Sequence, residues 1–285
     1  MRAALVSGGN RGIGLEVVKT LLAAEPQFRV YLGCRNMPDG EAHAQALSLV
    51  YGDRVEAVQL DVTSDVSIEA CCRRIGALDI LVNNAGVLLE GDGRPFDYLA
   101  AMQTMQINFH GVIALTEAFL PKLSAADGGG QILSTSSAIG TRTAGLLTAA
   151  HRDLLTQPSL ELNSLRHVLA EIIEELGDAG HAYHSIPTVV YGLSKLGVNC
   201  YTQMLARQHP TMRINACSPG FTNTRMCASY TGARVPKSVE LGASVFGKVL
   251  FGELGAGRTG MFFKENSAAG TPVEEAVSVI DPWVQ

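Results

Sequence analysis

The chain has 285 residues, 47% of them hydrophobic and 17% charged, with a formal net charge of −5. That composition provides for a sizeable buried core in one large domain or two small ones, and it excludes disorder and low complexity. The mild acidity and the lack of a basic run argue against nucleic acid. No apolar run reaches the roughly 18 residues needed to span a bilayer.

Ala3-Ala4-Leu5-Val6 leads straight into a glycine-rich turn, so it reads as a first buried strand at 2–7 rather than a secretory leader, and a cytosolic location is expected. Ser7-Gly8-Gly9-Asn10-Arg11-Gly12-Ile13-Gly14 then opens a helix to about residue 25, with Leu15, Val18, Leu21 and Leu22 on its buried stripe. Further strands are expected at 28–33, 55–60 and 78–82, with helices at 40–51 and 64–76 between them. A long helix at 98–124 passes through Asn108, and a strand at 131–135 delivers Ser134, Ser136 and Ser137. Residues 141–187 interrupt the alternation with a helical pattern of their own: Leu165, Val168, Leu169, Ile172, Ile173 and Leu176 recur at three and four. A helix at 188–209, a strand at 213–217, a polar loop at 220–237, a helix at 238–251 and a last strand at 260–263 complete the order. Apolar runs alternating with amphipathic segments predict a doubly wound α/β fold, a parallel sheet covered by helices on both faces. Without a linker or an internal repeat, a single domain over 1–285 is expected, with 141–187 inserted in it.

The six cysteines (Cys34, Cys71, Cys72, Cys200, Cys217 and Cys227) show neither a C-x-x-C pair nor zinc spacing, and they read as buried small hydrophobes of a reducing compartment. His-Glu-x-x-His is absent too, so the motifs support no metal centre. Tyr191 and Lys195, four residues apart, stand on one helix face, where the ammonium is expected to favour ionisation of the phenol. Such a hydroxyl serves general acid–base chemistry, although the pair alone is weak as a signal. Glycines at 8, 12 and 14 between a strand and a helix suit a dinucleotide diphosphate, which the helix N-terminus would attract. Arg35 ends the second strand, where an adenosine ribose would lie, and Cys34-Arg35 brings no carboxylate for free hydroxyls. With Arg11 it suits a 2′-phosphate instead, the alternative being two solvated arginines. Asp61 closes the third strand, either at an adenine edge or as a turn aspartate. Sequence alone leaves the three serines open, and Asn108 alone reads as a local helix bend.

Taken together, these residues resemble the short-chain dehydrogenase/reductase family over nearly the whole chain. The resemblance rests on the glycine loop, Asp61-Val62, Asn83-Asn84-Ala85-Gly86, Asn108, the serine strand, Tyr191-x-x-x-Lys195 and Pro219-Gly220. The long gap between Ser137 and Tyr191 is similar to the monomeric NADPH-dependent carbonyl reductase branch. Asn215-Ala216-Cys217 and an aromatic in a short tail, Trp283, add to that likeness. The resemblance implies a Rossmann fold, NADPH as cofactor and a small-molecule carbonyl substrate, with hydride delivered to a ketone or aldehyde. It makes Tyr191 the general acid, Ser137 the hydrogen-bond donor to the same oxygen, and Lys195 the group that tunes Tyr191 and binds the nicotinamide ribose. Asn108 would hold a water in the proton path. Cofactor contacts are implied for Gly8, Asn10, Arg11, Gly12, Ile13 and Gly14 in the loop and for Arg35, Asp61 and Val62 at the adenosine end. Asn83, Ala85 and Gly86, then Tyr191 and Lys195, and finally Pro219, Gly220 and Thr224 complete that set. The loop at 221–236 would act as a lid. The insertion would cover the helix surface through which relatives form tetramers, leaving a monomer. The alternatives are an alcohol-oxidising dehydrogenase of steroid or terpenoid type and a cofactor-sensing protein without turnover, against which the intact Ser137, Tyr191 and Lys195 speak.

Overall fold

The computed structural model describes residues 2–90, 96–178, 180–186, 188–228, 230, 232–265 and 277–280. The first half alternates as β1 (Arg2–Ser7), α1 (Gly12–Ala24), β2 (Phe28–Cys34), α2 (Met37–Tyr51), β3 (Val55–Gln59), α3 (Asp65–Arg74) and β4 (Ile80–Asn83). Next, α4 (Tyr98–Met105) runs through a π-helical turn at Gln106–His110 into α5 (Gly111–Ser124), and β5 (Gln131–Thr135) follows. Between β5 and the next long helix the chain forms α6 (Ala138–Leu146), α7 (Ala149–Thr156), α8 (Leu162–Glu175) and a 3₁₀ turn at Ala182–Ser185. The chain continues with α9 (Val189–Gln208), β6 (Arg213–Ser218), a short 3₁₀ turn at Arg225–Cys227, α10 (Val239–Leu250), β7 (Phe262–Glu265) and β8 (Val277–Ile280).

The strands form one sheet in the order β3-β2-β1-β4-β5-β6-β7-β8. Seven of them run parallel, and β8 pairs antiparallel to β7 with Phe262 opposite Ile280. Runs such as Ile80-Leu81-Val82 are buried on both faces, as a sheet between two helical layers requires. Successive residues go to opposite cores. Leu5 and Leu81 join the cluster that holds Phe109, Phe119 and the α8 and α9 side chains. Ala4, Val6, Ile80 and Val82 join the one beneath α1 and α10. The strand order reverses between β1 and β4, and the crevice beyond their carboxyl ends is where such sheets bind ligands.

Two expectations change. The last parallel strand lies two residues further on than 260–263, and β8 adds an edge that was not expected. Val277-Ser278-Val279-Ile280 is too short a run to show a period of its own. Helix α6 starts at Ala138, three residues ahead of the expected insertion, where Ser137 caps it by accepting from the Ile139 N–H at 3.2 Å. The insertion's stripe of Leu165, Val168, Leu169, Ile172 and Ile173 is buried as the periodicity predicts, and α8 lies on α9. Gly197 permits that approach, since a Cβ there would stand 2.8 Å from both Leu169 and Phe109. Trp283 lies outside the described residues.

Candidate active site

The first loop is shaped by its glycines. Gly8 (φ +66°) and Gly12 (φ +52°) take left-handed backbone conformations, and a Cβ on Gly14 would lie 2.2 Å from the Gly8 carbonyl oxygen. Asn84 locks the loop to the next strand end: its Nδ2 donates to the carbonyls of Ser7 (2.9 Å) and Gly8 (3.3 Å). The Ser7 hydroxyl returns the grip, accepting from the N–H groups of Asn84 and Ala85 at 2.9 and 3.1 Å. Asn10 ties the loop outward, donating to Asp39 Oδ2 at 2.6 Å. No side chain caps α1 at Arg11, so its first N–H groups are left for an anion. The cradle thus fits a diphosphate.

A cleft of about 1530 Å³ runs across the carboxyl ends of the strands. Gly8, Asn10, Arg11, Gly12, Ile13 and Gly14 line it, with Arg35, Asp61 and Val62 beside them. Ala85, Gly86, Ser137, Tyr191, Lys195, Pro219, Gly220 and Thr224 line it as well. From the expected lid, Phe221, Met226, Cys227, Tyr230 and Arg234 reach the same wall. Asp61 is a turn aspartate with its Oδ1 accepting from the Thr63 N–H (2.9 Å) and hydroxyl (2.7 Å). Burial would raise its pKa, but those two bonds and Arg35 outweigh it and hold the carboxyl below its ordinary range.

Tyr191 and Lys195 reach the cleft from one face of α9, and Ser137 meets them from the end of β5. Ser137 lies near enough to the Tyr191 phenol to favour its ionised form, while Lys195 Nζ donates to the Thr135 carbonyl at 2.8 Å and lies 5.6 Å from the Tyr191 ring centre. Of the other serines, Ser136 donates to the Lys195 carbonyl and Ser134 accepts from Asn83, so Ser137 is the one turned to the phenol. One expectation fails here. The phenol is not depressed by Lys195; burial pushes it up to about 12, although Ser137 favours the phenolate. Burial likewise lowers Lys195 to about 8. For both groups desolvation is the largest influence.

One further assignment is corrected, and a second residue proves to lie behind the cleft wall. Asn83 does not line the cleft: its Nδ2 donates inward to Thr116 Oγ1 (2.9 Å) and Ser134 Oγ (3.3 Å), and the exposed wall starts at Asn84. Asn108 is fully buried behind the cleft, and its side chain does not bend its own helix by local bonding. It holds the backbone of Val87 at both ends, accepting from the N–H and donating to the carbonyl at 2.8 Å each, and it also donates to Ser194 Oγ at 3.2 Å. Its side chain is thereby engaged, while the π-helical turn around it marks the departure from regular helix. Between Asn108 and Lys195 sits Gly86, whose Cβ position is 3.2 Å from Asn108 Oδ1 and 3.6 Å from Lys195 Nζ.

Glu90 was missed. Its carboxylate accepts from the N–H groups of Val190 (2.9 Å) and Tyr191 (2.6 Å), capping α9 where the preceding Thr188 takes φ 52° and supplies no side-chain cap. Burial raises its pKa despite those two bonds. No sequence signal links a loop glutamate to a helix start a hundred residues away.

The fold, the glycine cradle and the Ser137/Tyr191/Lys195 convergence define a nucleotide-dependent oxidoreductase site of the kind the sequence resembles. A model of the short chain dehydrogenase family matches residues 2–149, and this chain belongs to the short-chain dehydrogenase/reductase family. It is similar to the short-chain dehydrogenase/reductase ATR10 of Stachybotrys chlorohalonatus, with 31% identity across 98% of this chain and 93% of that protein. Carbonyl reductase (NADPH) 1 of Homo sapiens shares 30% identity over 85% of this chain and 88% of its own length. Among solved structures, salutaridine reductase from Papaver somniferum superposes with a TM-score of 0.78 at 26% identity, covering 92% of this chain and 99% of that one.

Proposed function

We propose that the protein reduces ketones or aldehydes to alcohols with NADPH as hydride donor. The observation that carries this reading is the convergence of Ser137 and Tyr191 on the wall of one large cleft, with Lys195 beside them. Gly8, Gly12 and Gly14 would let the diphosphate approach α1, Arg11 and Arg35 would take the 2′-phosphate, and Pro219, Gly220 and Thr224 would border the nicotinamide end. When bound, the cofactor supplies a hydride to the carbonyl carbon. Tyr191, protonated at neutral pH with its pKa near 12, gives its proton to the substrate oxygen as charge develops there. Ser137 donates to that same oxygen, an interaction worth most in the transition state. Lys195 carries positive charge below about pH 8 and favours the phenolate left behind. We read the protein as a cytosolic monomer, since the buried thiols of Cys34, Cys71, Cys200 and Cys217 suit a reducing compartment and α8 covers α9.

The test is a panel of small ketones and aldehydes with NADPH and NADH, followed by loss of nicotinamide absorbance at fixed ionic strength. A charge-assisted hydrogen bond of about 1.5–3 kcal/mol to the extra phosphate predicts a kcat/KM ratio of roughly 10 to 150 in favour of NADPH. Cys34→Asp combined with Arg35→Ala should invert it. A ratio near one would show that Arg35 only faces solvent, and no turnover with any carbonyl would leave the cofactor-sensing alternative.

A further inference from the structure

The insertion carries a second cluster of ligating side chains away from the cleft. On α8, Glu171 and Glu175 stand four residues apart on one face, and a ring nitrogen of His151 on α7 completes a group whose ligand atoms all lie within 4.8 Å of one another. His151 Nε2 is 3.9 Å from Glu175 Oε1, and its side chain is only 12% exposed. On the other side of Glu175, His181 places Nε2 3.6 Å from Oε2.

The bonds around the two rings assign them different parts. Tyr183, buried in the 3₁₀ turn, puts its hydroxyl 2.8 Å from His151 Nδ1 while accepting from the Thr148 N–H at 3.0 Å. The Tyr183 hydroxyl can accept from Nδ1 or donate to it, and in the tautomer with the proton on Nδ1 the lone pair of Nε2 faces Glu175. In that tautomer all three groups of the cluster are acceptors, the donor set that a divalent cation requires. His181 is set the other way. Its Nδ1 accepts from the Tyr183 N–H at 3.3 Å, which puts the proton on Nε2, facing Glu175. It therefore orients a carboxylate, as outer partners of metal ligands do. Among the described residues, the two histidines are the only ion-pair partners recorded for Glu175, and none is recorded for Glu171. Like charges at this helical spacing repel.

We propose that His151, Glu171 and Glu175 bind a divalent transition metal ion of the zinc class, with His181 and Tyr183 positioning the ligands. One imidazole and two carboxylates match the charge of such an ion and leave a fourth position for water. Tetrahedral ligands at about 2.0–2.1 Å from zinc lie about 3.3 Å apart, so the ligand separations, 3.9 Å between His151 and Glu175 and within 4.8 Å across the three, close by side-chain movement, for which the exposed Glu171 has room. The ligands span α7 and α8, and the ion would clamp these helices and the turn leading to α9. Their spacing across 151, 171 and 175 follows no linear zinc motif, which is why the sequence offered no sign of it.

The test uses the full chain without a metal-binding tag, titrated with Co²⁺ as a spectroscopic probe and then with Zn²⁺ in competition. One equivalent should give tetrahedral visible bands without thiolate charge transfer, and Zn²⁺ should displace it and raise the melting temperature. Glu171→Gln, at an exposed position, should weaken binding by at least about tenfold, and His151→Gln by as much or more. His181→Gln should weaken it less. Circular dichroism of each variant keeps a folding failure apart from a lost ligand. The proposal is overturned by the absence of a saturable spectrum at several equivalents of Co²⁺. It is equally overturned by binding that Glu171→Gln and a folded His151→Gln leave unchanged, which would assign the cluster to ion pairing and the metal to cysteines.

Discussion

Burial and charge act on the Tyr191 phenol in opposite directions, and with α6, α9 and β5 closed around it burial prevails, leaving the acid form in place at neutral pH. That is the form carbonyl reduction consumes, whereas alcohol oxidation would need the phenolate. Tyr191→Phe should accordingly keep NADPH affinity, measured by calorimetric titration, while turnover falls by roughly 10²–10⁴-fold, as expected for a lost general acid. A variant that keeps a third of wild-type turnover with chemistry rate-limiting would remove Tyr191 from that role. Lys195 gives a prediction that needs no substrate. Its folded pKa near 8 lies below the unfolded value of 10.5, so between those pH values only the unfolded chain holds the proton. Stability attributable to Lys195 therefore rises with pH through this window. Urea unfolding of wild type and Lys195→Met at pH 7 and pH 10 should show wild type gaining roughly 2 kcal/mol relative to the variant. A difference that stays constant or moves the other way would mean that Lys195 is not a desolvated amine.

The helix that presents these residues starts on a borrowed cap. Thr188 turns left-handed, no neighbouring side chain caps α9, and Glu90 arrives from the loop after β4 to accept the N–H groups of Val190 and Tyr191. A carboxylate there also meets the positive end of the helix dipole. Glu90→Ala should cost about 1–2 kcal/mol in denaturant unfolding and lower kcat by loosening the Tyr191 backbone, with Glu90→Gln in between because one acceptor oxygen remains. Equal stability of all three proteins would show the cap to be dispensable. The same element marks the limit of what the sequence reveals. The Tyr191/Lys195 spacing, the glycine loop and the α8 stripe are local patterns, legible because helix periodicity and backbone conformation are properties of neighbouring residues. The inward turn of Asn83 and the outward one of Asn84 depend on where β4 stops alternating. The grip of Asn108 on Val87, the Glu90 cap and the desolvation of Tyr191 come from tertiary packing, which no local spacing encodes.

Across the whole molecule, the doubly wound sheet sets the cleft at the β1/β4 reversal, while the insertion decides how much surface is left for association. From Val189 to Ala206 every α9 residue except Gln203 is buried within one chain, largely because α6 and α8 lie over it. An association surface built from the helices at 98–124 and 188–209 would find no exposed apolar face on the second of them here. What remains on the first is a patch of Tyr98, Leu99 and Met102, 48%, 73% and 45% exposed. Three side chains on two turns of helix fall well short of the roughly 800 Å² per partner typical of a stable interface. Sedimentation velocity or light scattering at micromolar concentration should therefore give a single species at the monomer mass of 30.2 kDa, unchanged over a tenfold dilution. A stable tetramer would overturn the monomer assignment, and one formed through α9 would require α8 to leave it and overturn the reading of the insertion as a cover for that surface.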